Sequence, residues 1–233
     1  MKIVTASAPG KLLLLGDHAV VYGHPCIVTA VDQRIVVTIT ETSHEGVVYD
    51  VGESDTRFLD ASLTVAQSLW GNISHITVQT KSQFSSQLGL GSSAAVTVAF
   101  LFALSKFLNK PLKPIDLFKA AYKAVLSVQG VGSGFDVAAA VYGGTIRYVM
   151  GGKEILLLDA TALSLVVGYT GVKADTATMI NDVKKKYEEH KETVSRIFEA
   201  IGGLVDQAAP RFAEHDWERV GKFMDFDQEY FHW

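Results

Sequence analysis

The sequence predicts a mixed α/β fold, and three observations lead to that prediction. Short runs rich in β-branched residues alternate with helical patterns through the first half of the chain. From Asp175 onward, the composition changes to helical segments rich in lysine and glutamate. Of the 233 residues, 48% are hydrophobic, which is enough to bury one large core or two modest ones.

In the first half, strands are predicted at residues 2–6, 34–41 and 73–80, where β-branched residues alternate or cluster. Helices are predicted at residues 57–69, 94–109 and 117–128. The second of these helices holds the longest apolar run, eleven residues from Ala94 to Leu104 that only Thr97 interrupts. Such a run is about half of a membrane span, so it predicts a fully buried helix.

The second half begins with a predicted hairpin, residues 145–150 and 154–158, joined at Gly151-Gly152. A second, helical subdomain is expected from near residue 160, with a strand at residues 166–169 at its entrance. Helices are predicted at residues 176–189 and 192–209, the second ending at Pro210. A last amphipathic helix, residues 217–233, ends in the aromatic run Phe231-His232-Trp233.

Charge and cysteine content exclude several classes of protein. The formal net charge is −4 and the lysines are spread along the chain, whereas a nucleic-acid-binding protein usually presents a basic face. The lone Cys26 cannot form an internal disulfide and is expected to be buried rather than reactive. The first residues carry no secretory signal, so the expected compartment is the cytoplasm.

A glycine-rich loop leads directly into the apolar helix. It consists of Gln87, Leu88, Gly89, Leu90, Gly91, Ser92 and Ser93. Glycines let the backbone turn several N–H groups inward, and the helix start adds free N–H donors and the positive end of its dipole. The pattern predicts an anion site suited to a phosphate chain, although a glycine pair of this kind can also be a simple turn.

The motifs of three other enzyme classes do not fit the sequence. Gly89, Gly91 and Ala94 fit a relaxed dinucleotide fingerprint, but no acidic residue follows at the distance that the fingerprint requires. Gly10-Lys11 is followed by Leu12, which excludes a Walker loop. The chain also lacks the Gly-x-Ser-x-Gly elbow of many hydrolases.

Charged residues bracket an apolar run near the N-terminus. The run is Leu12 to Leu15, with Lys11 before it and the adjacent pair Asp17-His18 after it. We interpret the flanking glycines, Gly10 and Gly16, as turns. Residues placed in this way are expected at the rim of a site. A solvated strand end and a surface histidine are the alternative interpretation.

Asp136 is the only charged residue between Lys123 and Arg147, and it lies among glycines and small apolar residues. A carboxylate in such surroundings needs a partner, and Lys11 is a candidate. Together, the two could orient a substrate hydroxyl and stabilise charge on a transferring phosphate. Alternatively, Asp136 caps the helix that it precedes.

In this order, the three elements resemble the motifs of the GHMP kinase family. The first looks like Pro9-Gly10-Lys11 followed by Gly16-Asp17-His18-Ala19-Val20, and the second like Gly89-Leu90-Gly91-Ser92-Ser93-Ala94-Ala95. The resemblance is strong over residues 1 to about 150. It implies a two-lobed fold, with a ribosomal S5-like N-terminal domain at residues 1–158 and a ferredoxin-like helical C-terminal domain at residues 159–233.

The resemblance also implies roles for individual residues. Asp136 and Lys11 would be catalytic, and Asp17, His18 and Ser133 would contact the substrate. The loop from Gln87 to Ser93 would bind ATP, and Ser93 would help to bind Mg²⁺. Within the family, the chain is most similar to members that phosphorylate the terminal hydroxyl of mevalonate, although those usually have Glu where this chain has Asp17.

Other departures leave alternatives open. Val125 occupies the place of a Mg²⁺-binding glutamate, and Ser85-Ser86-Gln87 replaces the Pro-x-Gly that commonly opens the loop. Residues 132–140 and 167–171 look more like kinases that act on phosphomevalonate.

The family's last glycine-rich motif is absent, so we expect an incomplete C-terminal domain and either a homodimer or a complementing chain. A non-catalytic subunit with the same fold is the remaining alternative.

Overall fold

The structure, a computed structural model, describes residues 1–52, 55–160, 163–172 and 176–230. Its internal contacts divide the chain into two units. Unit 1 is Met1–Gly10 with Val31–Val131, and unit 2 is Lys11–Ala30 with Gly132–Trp233. The predicted domain boundary at residue 158 remains a prediction.

Unit 1 contains a sheet with three helices. The sheet includes the first part of β1 (Ile3–Leu15), the second part of β2 (Pro25–Glu41), β3 (Val47–Asp50) and β4 (Ile76–Ser82). β4 pairs antiparallel with β2 and parallel with β3. The helices α1 (Arg57–Trp70), α2 (Ser92–Phe107) and α3 (Pro114–Gln129) pack against one another.

The helix α2 is the centre of the core of unit 1. Ala95, Ala99, Phe100 and Leu101 are completely buried on it, because a helix that is apolar all round has no face to turn toward water. This confirms the predicted buried helix. Among the described helices, none combines the length and the apolar character that crossing a membrane requires.

The described part of unit 2 contains the rest of β1 and β2, two further strands and four α-helices. The strands are β5 (Thr145–Val149) and β6 (Glu154–Leu158), and the helices are α4 (Phe135–Tyr142), α5 (Thr176–Glu189), α6 (Lys191–Ala213) and α7 (Trp217–Glu229). β5 pairs antiparallel with the first part of β2 and with β6, which confirms the predicted hairpin. A short 3-10 helix, Ala19–Tyr22, packs against α6.

Several predicted elements were wrong in detail. Gly10 is not a turn, since β1 continues through it to Leu15, and the short strand β3 was not predicted. Residues 166–169 form no strand: Val166 is fully exposed, and no described strand pairs with it. Pro210 lies inside α6 and does not end it, since the helix continues to Ala213 and buries Phe212 beyond the proline.

The last predicted helix is confirmed as α7 (Trp217–Glu229). Its predicted aromatic end, Phe231-His232-Trp233, lies outside the described residues.

Candidate active site

The glycine-rich loop of unit 1 is exposed and ends at the first turn of α2. Residues 85–89 face solvent, and Gly89 and Gly91 have positive φ values of 72° and 74°, which glycine adopts without strain. Gly91 is the N-cap residue, and no side chain of the described residues caps the helix. The first backbone N–H groups of α2, including those of Ser92 and Ser93, have no partner within the helix, and a helix start of this kind suits an anion.

Gly10 of β1 lies against this loop. A Cβ atom added to Gly10 would lie 2.8 Å from the carbonyl oxygen of Leu90 and 3.1 Å from the ring of Phe84. Close approach of two backbones explains the glycine at this position. The next residue along β1 is Lys11.

In unit 2, Lys11 and Asp136 form a partly buried pair of opposite charges. Burial lowers the pKa of the Lys11 ammonium, while the carboxylates of Asp136 and then Asp17 raise it. The Lys11 Nζ atom also lies 5.3 Å from the centre of the Phe135 ring. The structure thus places the two residues predicted to be catalytic in one cluster.

Asp136 lies in the first turn of α4, where Gly134 is the N-cap. Its Oδ1 atom accepts a hydrogen bond of 2.8 Å from the backbone N–H of Val137. Burial raises the pKa of the Asp136 carboxyl, whereas Lys11 and nearby backbone N–H groups lower it. A carboxylate with this environment can accept a proton from a hydroxyl group more readily than one in water.

The turn after β1 presents Asp17 and His18. Asp17 is exposed, and its Oδ1 atom accepts a hydrogen bond of 2.8 Å from the backbone N–H of His18. His18 has a φ of 53°, in the left-handed region. The carboxylate of Asp17 acts on the charge of Lys11, so the turn belongs to the same cluster of unit 2.

Ser133 is buried in the loop before α4, with 4% of its surface exposed. Its carbonyl oxygen accepts hydrogen bonds from the Tyr148 hydroxyl, at 2.6 Å, and from the N–H of Gly151, at 3.2 Å. These bonds fix the backbone that leads into Asp136. Contact between Ser133 and a substrate remains a prediction.

Few protein groups are available to bind the predicted Mg²⁺ ion. Val125, at the position where a glutamate was expected, is buried within α3. The described residues contain no group of three or more His, Cys, Asp or Glu side chains that could hold a metal ion. Ser93 is therefore the remaining predicted donor, and Mg²⁺ commonly binds through one or two protein groups together with substrate phosphates.

One further residue of unit 2 was missed by the sequence analysis. Asp227 of α7 is buried, and its Oδ2 atom accepts a hydrogen bond of 3.1 Å from the backbone N–H of Gly16, at the start of the turn that presents Asp17. A signal was available in the sequence. Val220, Met224 and Asp227 share one face of α7, so an acidic residue occupies a position where the helical spacing predicts an apolar one.

Cys26 was predicted to be structural, and it is completely buried on β2. Burial raises the pKa of its thiol, which keeps the thiol protonated and unreactive.

The sequence and the structure are both similar to those of known proteins. Residues 58–144 match the family described as the GHMP kinases N terminal domain. A mevalonate kinase of Pyrococcus abyssi is 34% identical, in an alignment that covers 89% of this chain and 69% of that protein.

Solved structures extend the comparison to the fold. A crystal structure of the L. major mevalonate kinase in complex with R-mevalonate has a TM-score of 0.78 at 25% identity and covers 98% of this chain and 74% of that one. The Lin0012 protein from Listeria innocua has a TM-score of 0.88 at 22% identity, over 99% of this chain and 78% of that one. These likenesses confirm the predicted fold class.

Proposed function

The chain belongs to the GHMP kinases, among the mevalonate kinases, and from this membership we propose that it transfers the γ-phosphoryl group of ATP to the terminal hydroxyl of mevalonate. Its relatives identify it as a phosphotransferase. The observation that carries the proposal is the Lys11–Asp136 pair, in which each charge acts on the other in partly buried surroundings. The reaction would serve the synthesis of isoprenoid precursors.

The chemistry proceeds by direct transfer. Asp136 accepts the proton of the acceptor hydroxyl as its oxygen bonds to the γ-phosphorus, and the bond from that phosphorus to the β,γ-bridging oxygen breaks to leave ADP. Burial, which raises the pKa of Asp136, makes it a better proton acceptor. Lys11 stabilises the negative charge that spreads over the phosphoryl oxygens.

The loop from Gln87 to Ser93 binds the phosphates of ATP. Its support is the pair of positive-φ glycines, Gly89 and Gly91, and the uncapped start of α2. Backbone N–H groups and the helix dipole offer a site of this kind to any phosphate chain.

The proposed reaction also uses Mg²⁺, and one protein residue, Ser93, would help to bind it. Ser93, in the first turn of α2, is the residue that would hold it beside the phosphate oxygens. When bound, the ion neutralises phosphate charge. Protein residues perform the remaining steps: the loop orients the phosphates and Asp136 takes the proton.

Asp17, His18 and Ser133 bind the acceptor in this proposal. The exposed carboxylate of Asp17 is suited to a hydroxyl group, which can donate a hydrogen bond to it. Phosphomevalonate is the second candidate acceptor, since the buried Val125 leaves no carboxylate where mevalonate kinases usually have a glutamate. The names of the curated relatives favour mevalonate.

Compartment and assembly are proposed on separate grounds. We propose a cytoplasmic protein because its one cysteine is a buried free thiol.

We also propose association between copies, or with a complementing chain, through β6, the edge strand of unit 2. Leu156 and Leu157 on this strand are 51% and 63% exposed. A single monomer peak in size-exclusion chromatography at all concentrations would contradict the association.

The test of the activity is ADP release with a panel of acceptors: mevalonate, phosphomevalonate and mevalonate 3-phosphate. We expect the highest kcat/KM with mevalonate, and we expect Asp136→Ala and Lys11→Met to abolish the reaction. A higher kcat/KM with phosphomevalonate would select the second candidate. Rates no higher than those of the two variants for every acceptor would favour a non-catalytic protein of this fold.

A further inference from the structure

A buried carboxyl group joins α7 to the turn that presents Asp17. Asp227 is 4% exposed, and its Oδ2 atom accepts the hydrogen bond from the Gly16 N–H although the two residues are 211 positions apart in the sequence. The N-terminal turn is thus held by a residue near the end of α7.

The second oxygen of the same carboxyl group has no partner. Asp227 Oδ1 is buried from solvent and accepts no hydrogen bond from any described residue. A buried carboxylate with an unsatisfied oxygen costs folding free energy, so stability does not explain an aspartate at this place. Residues that reduce stability in this way are common at functional sites.

Gly16, at the start of the turn, lies close against β2. Gly16 has a φ of 91°, and a Cβ atom there would lie 2.6 Å from the carbonyl oxygen of Pro25 and 2.7 Å from the Cα atom of Cys26. Gly16 therefore lies between β2 on one side and the Asp227 carboxylate on the other. The position of Gly16 decides where the next residue, the exposed Asp17, is presented.

We propose that Asp227 is a positioning residue, which holds the Gly16 N–H and keeps the Asp17 carboxylate directed outward to the acceptor. Two effects combine. The hydrogen bond fixes the backbone, and repulsion between the two carboxylates disfavours an inward rotation of Asp17. This inference rests on the proposed function, in which Asp17 binds the acceptor hydroxyl.

The charge of Asp227 is set by its near neighbours. Burial and, to a smaller extent, the charge of Asp17 raise the pKa of Asp227, the Gly16 N–H lowers it, and the net result is a pKa of about 6. Other ionisable groups on the surrounding elements are His18 on the turn, His24 immediately before β2, and Asp206 and Arg211 on α6. The last two are engaged elsewhere, Asp206 with Arg147 and Arg211 with Glu214.

The experiment compares Asp227→Asn with Asp225→Asn, a control on the exposed face of the same helix. Asparagine keeps an oxygen for the Gly16 N–H but removes the negative charge, and its NH₂ group attracts Asp17 inward. We expect the acceptor KM to rise about tenfold and the ATP KM to stay within twofold. We also expect the melting temperature at pH 8 to rise by a few degrees, because a buried charge is lost. The control should match the wild type in all three quantities.

A spectroscopic measurement tests the contact without relying on activity. The ¹H–¹⁵N resonance of Gly16 should shift with pH in the wild type, with a midpoint near 6, and should lose this titration in Asp227→Asn. A Gly16 resonance that titrates identically in both proteins would overturn the inference.

Activity data separate failure of this inference from failure of the proposed function. If Asp17→Asn raises the acceptor KM and Asp227→Asn leaves it unchanged, the proposed function stands and the positioning role is wrong. A lower melting temperature with KM unchanged would likewise indicate a structural role and overturn the inference. If Asp17→Asn itself leaves the acceptor KM unchanged, the role of Asp17 fails, and with it the positioning role of Asp227.

Discussion

Substitution of Gly10 by alanine should weaken ATP binding, although Gly10 contacts no ATP in the proposed mechanism. The new Cβ atom would lie 2.8 Å from the Leu90 carbonyl oxygen, and 3.1 Å from both the Phe84 ring and a Val31 methyl group. Ordinary contact between such atoms begins near 3.4 Å, so the carbonyl must move by about 0.6 Å. Leu90 O is a backbone atom of the glycine-rich loop, and it cannot rotate away as a side chain would.

The magnitude follows from the cost of overpacking, which is typically about 1–3 kcal/mol. If the loop absorbs this cost, the ATP KM rises about 5- to 150-fold, since about 1.4 kcal/mol corresponds to a factor of ten. The assay is the initial rate of ADP release against ATP concentration at saturating acceptor, with thermal unfolding measured in parallel.

Gly168→Ala is the matched control, because a Cβ atom at Gly168 meets nothing within 4 Å and its φ is ordinary. A Gly10→Ala protein with wild-type ATP KM and wild-type melting temperature would refute the close contact between β1 and the loop.

Three further predictions concern unit 2. Asp136→Asn should lower kcat by about 10²- to 10⁴-fold in steady-state assays, as expected for a lost general base, and a loss below tenfold would contradict its role. Tyr148→Phe removes the 2.6 Å hydrogen bond to the Ser133 carbonyl oxygen. In urea titrations, this change should lower the free energy of unfolding by about 1–3 kcal/mol. An unchanged urea midpoint would count against a stabilising role for this hydrogen bond. The pKa of Asp227 is about 6 in the folded state, above the value of 3.8 in the unfolded state, so protonation of Asp227 favours the folded state. The stability of the wild type relative to Asp227→Asn should therefore fall as the pH rises from about 4 to 6. The fall is at most about 3 kcal/mol by urea titration at several pH values, and a rise over this range would contradict the burial of the carboxyl group.

Elements with a clear periodic pattern were predictable from the sequence. The apolar run of α2 and the hairpin of β5 and β6 were found near their observed bounds, because burial pattern and glycine turns are local properties. Residues 166–169 were wrongly predicted as a strand, because a strand also needs a neighbour with which to pair, and no local pattern reports that neighbour.

Gly10 and Pro210 illustrate the same limit. Gly10 was interpreted as a turn, but the glycine-rich loop approaches it too closely for a larger residue, a long-range contact of the fold. Pro210 was expected to end α6, but packing of the buried Phe212 sustains one more turn.

The candidate site was predictable where residue chemistry was unusual for its surroundings. An aspartate among glycines and small apolar residues indicated Asp136, and the structure places it within the electrostatic influence of Lys11. Asp227 was missed because α7 was judged only as an amphipathic helix. Its role depends on a hydrogen bond to Gly16, 211 residues away, which no local pattern contains.

The central claim is that Lys11 and Asp136, with the phosphate loop, transfer phosphate to the terminal hydroxyl of mevalonate. The most direct measurement is ³¹P NMR of the product formed from ATP and R-mevalonate. We expect one new phosphate ester whose phosphorus signal is split into a triplet by the adjacent CH₂ group, and we expect it to form at least about 10²-fold more slowly with Asp136→Asn than with the wild type. An ester signal without this coupling, or ADP that forms with no new ester, would contradict the claim.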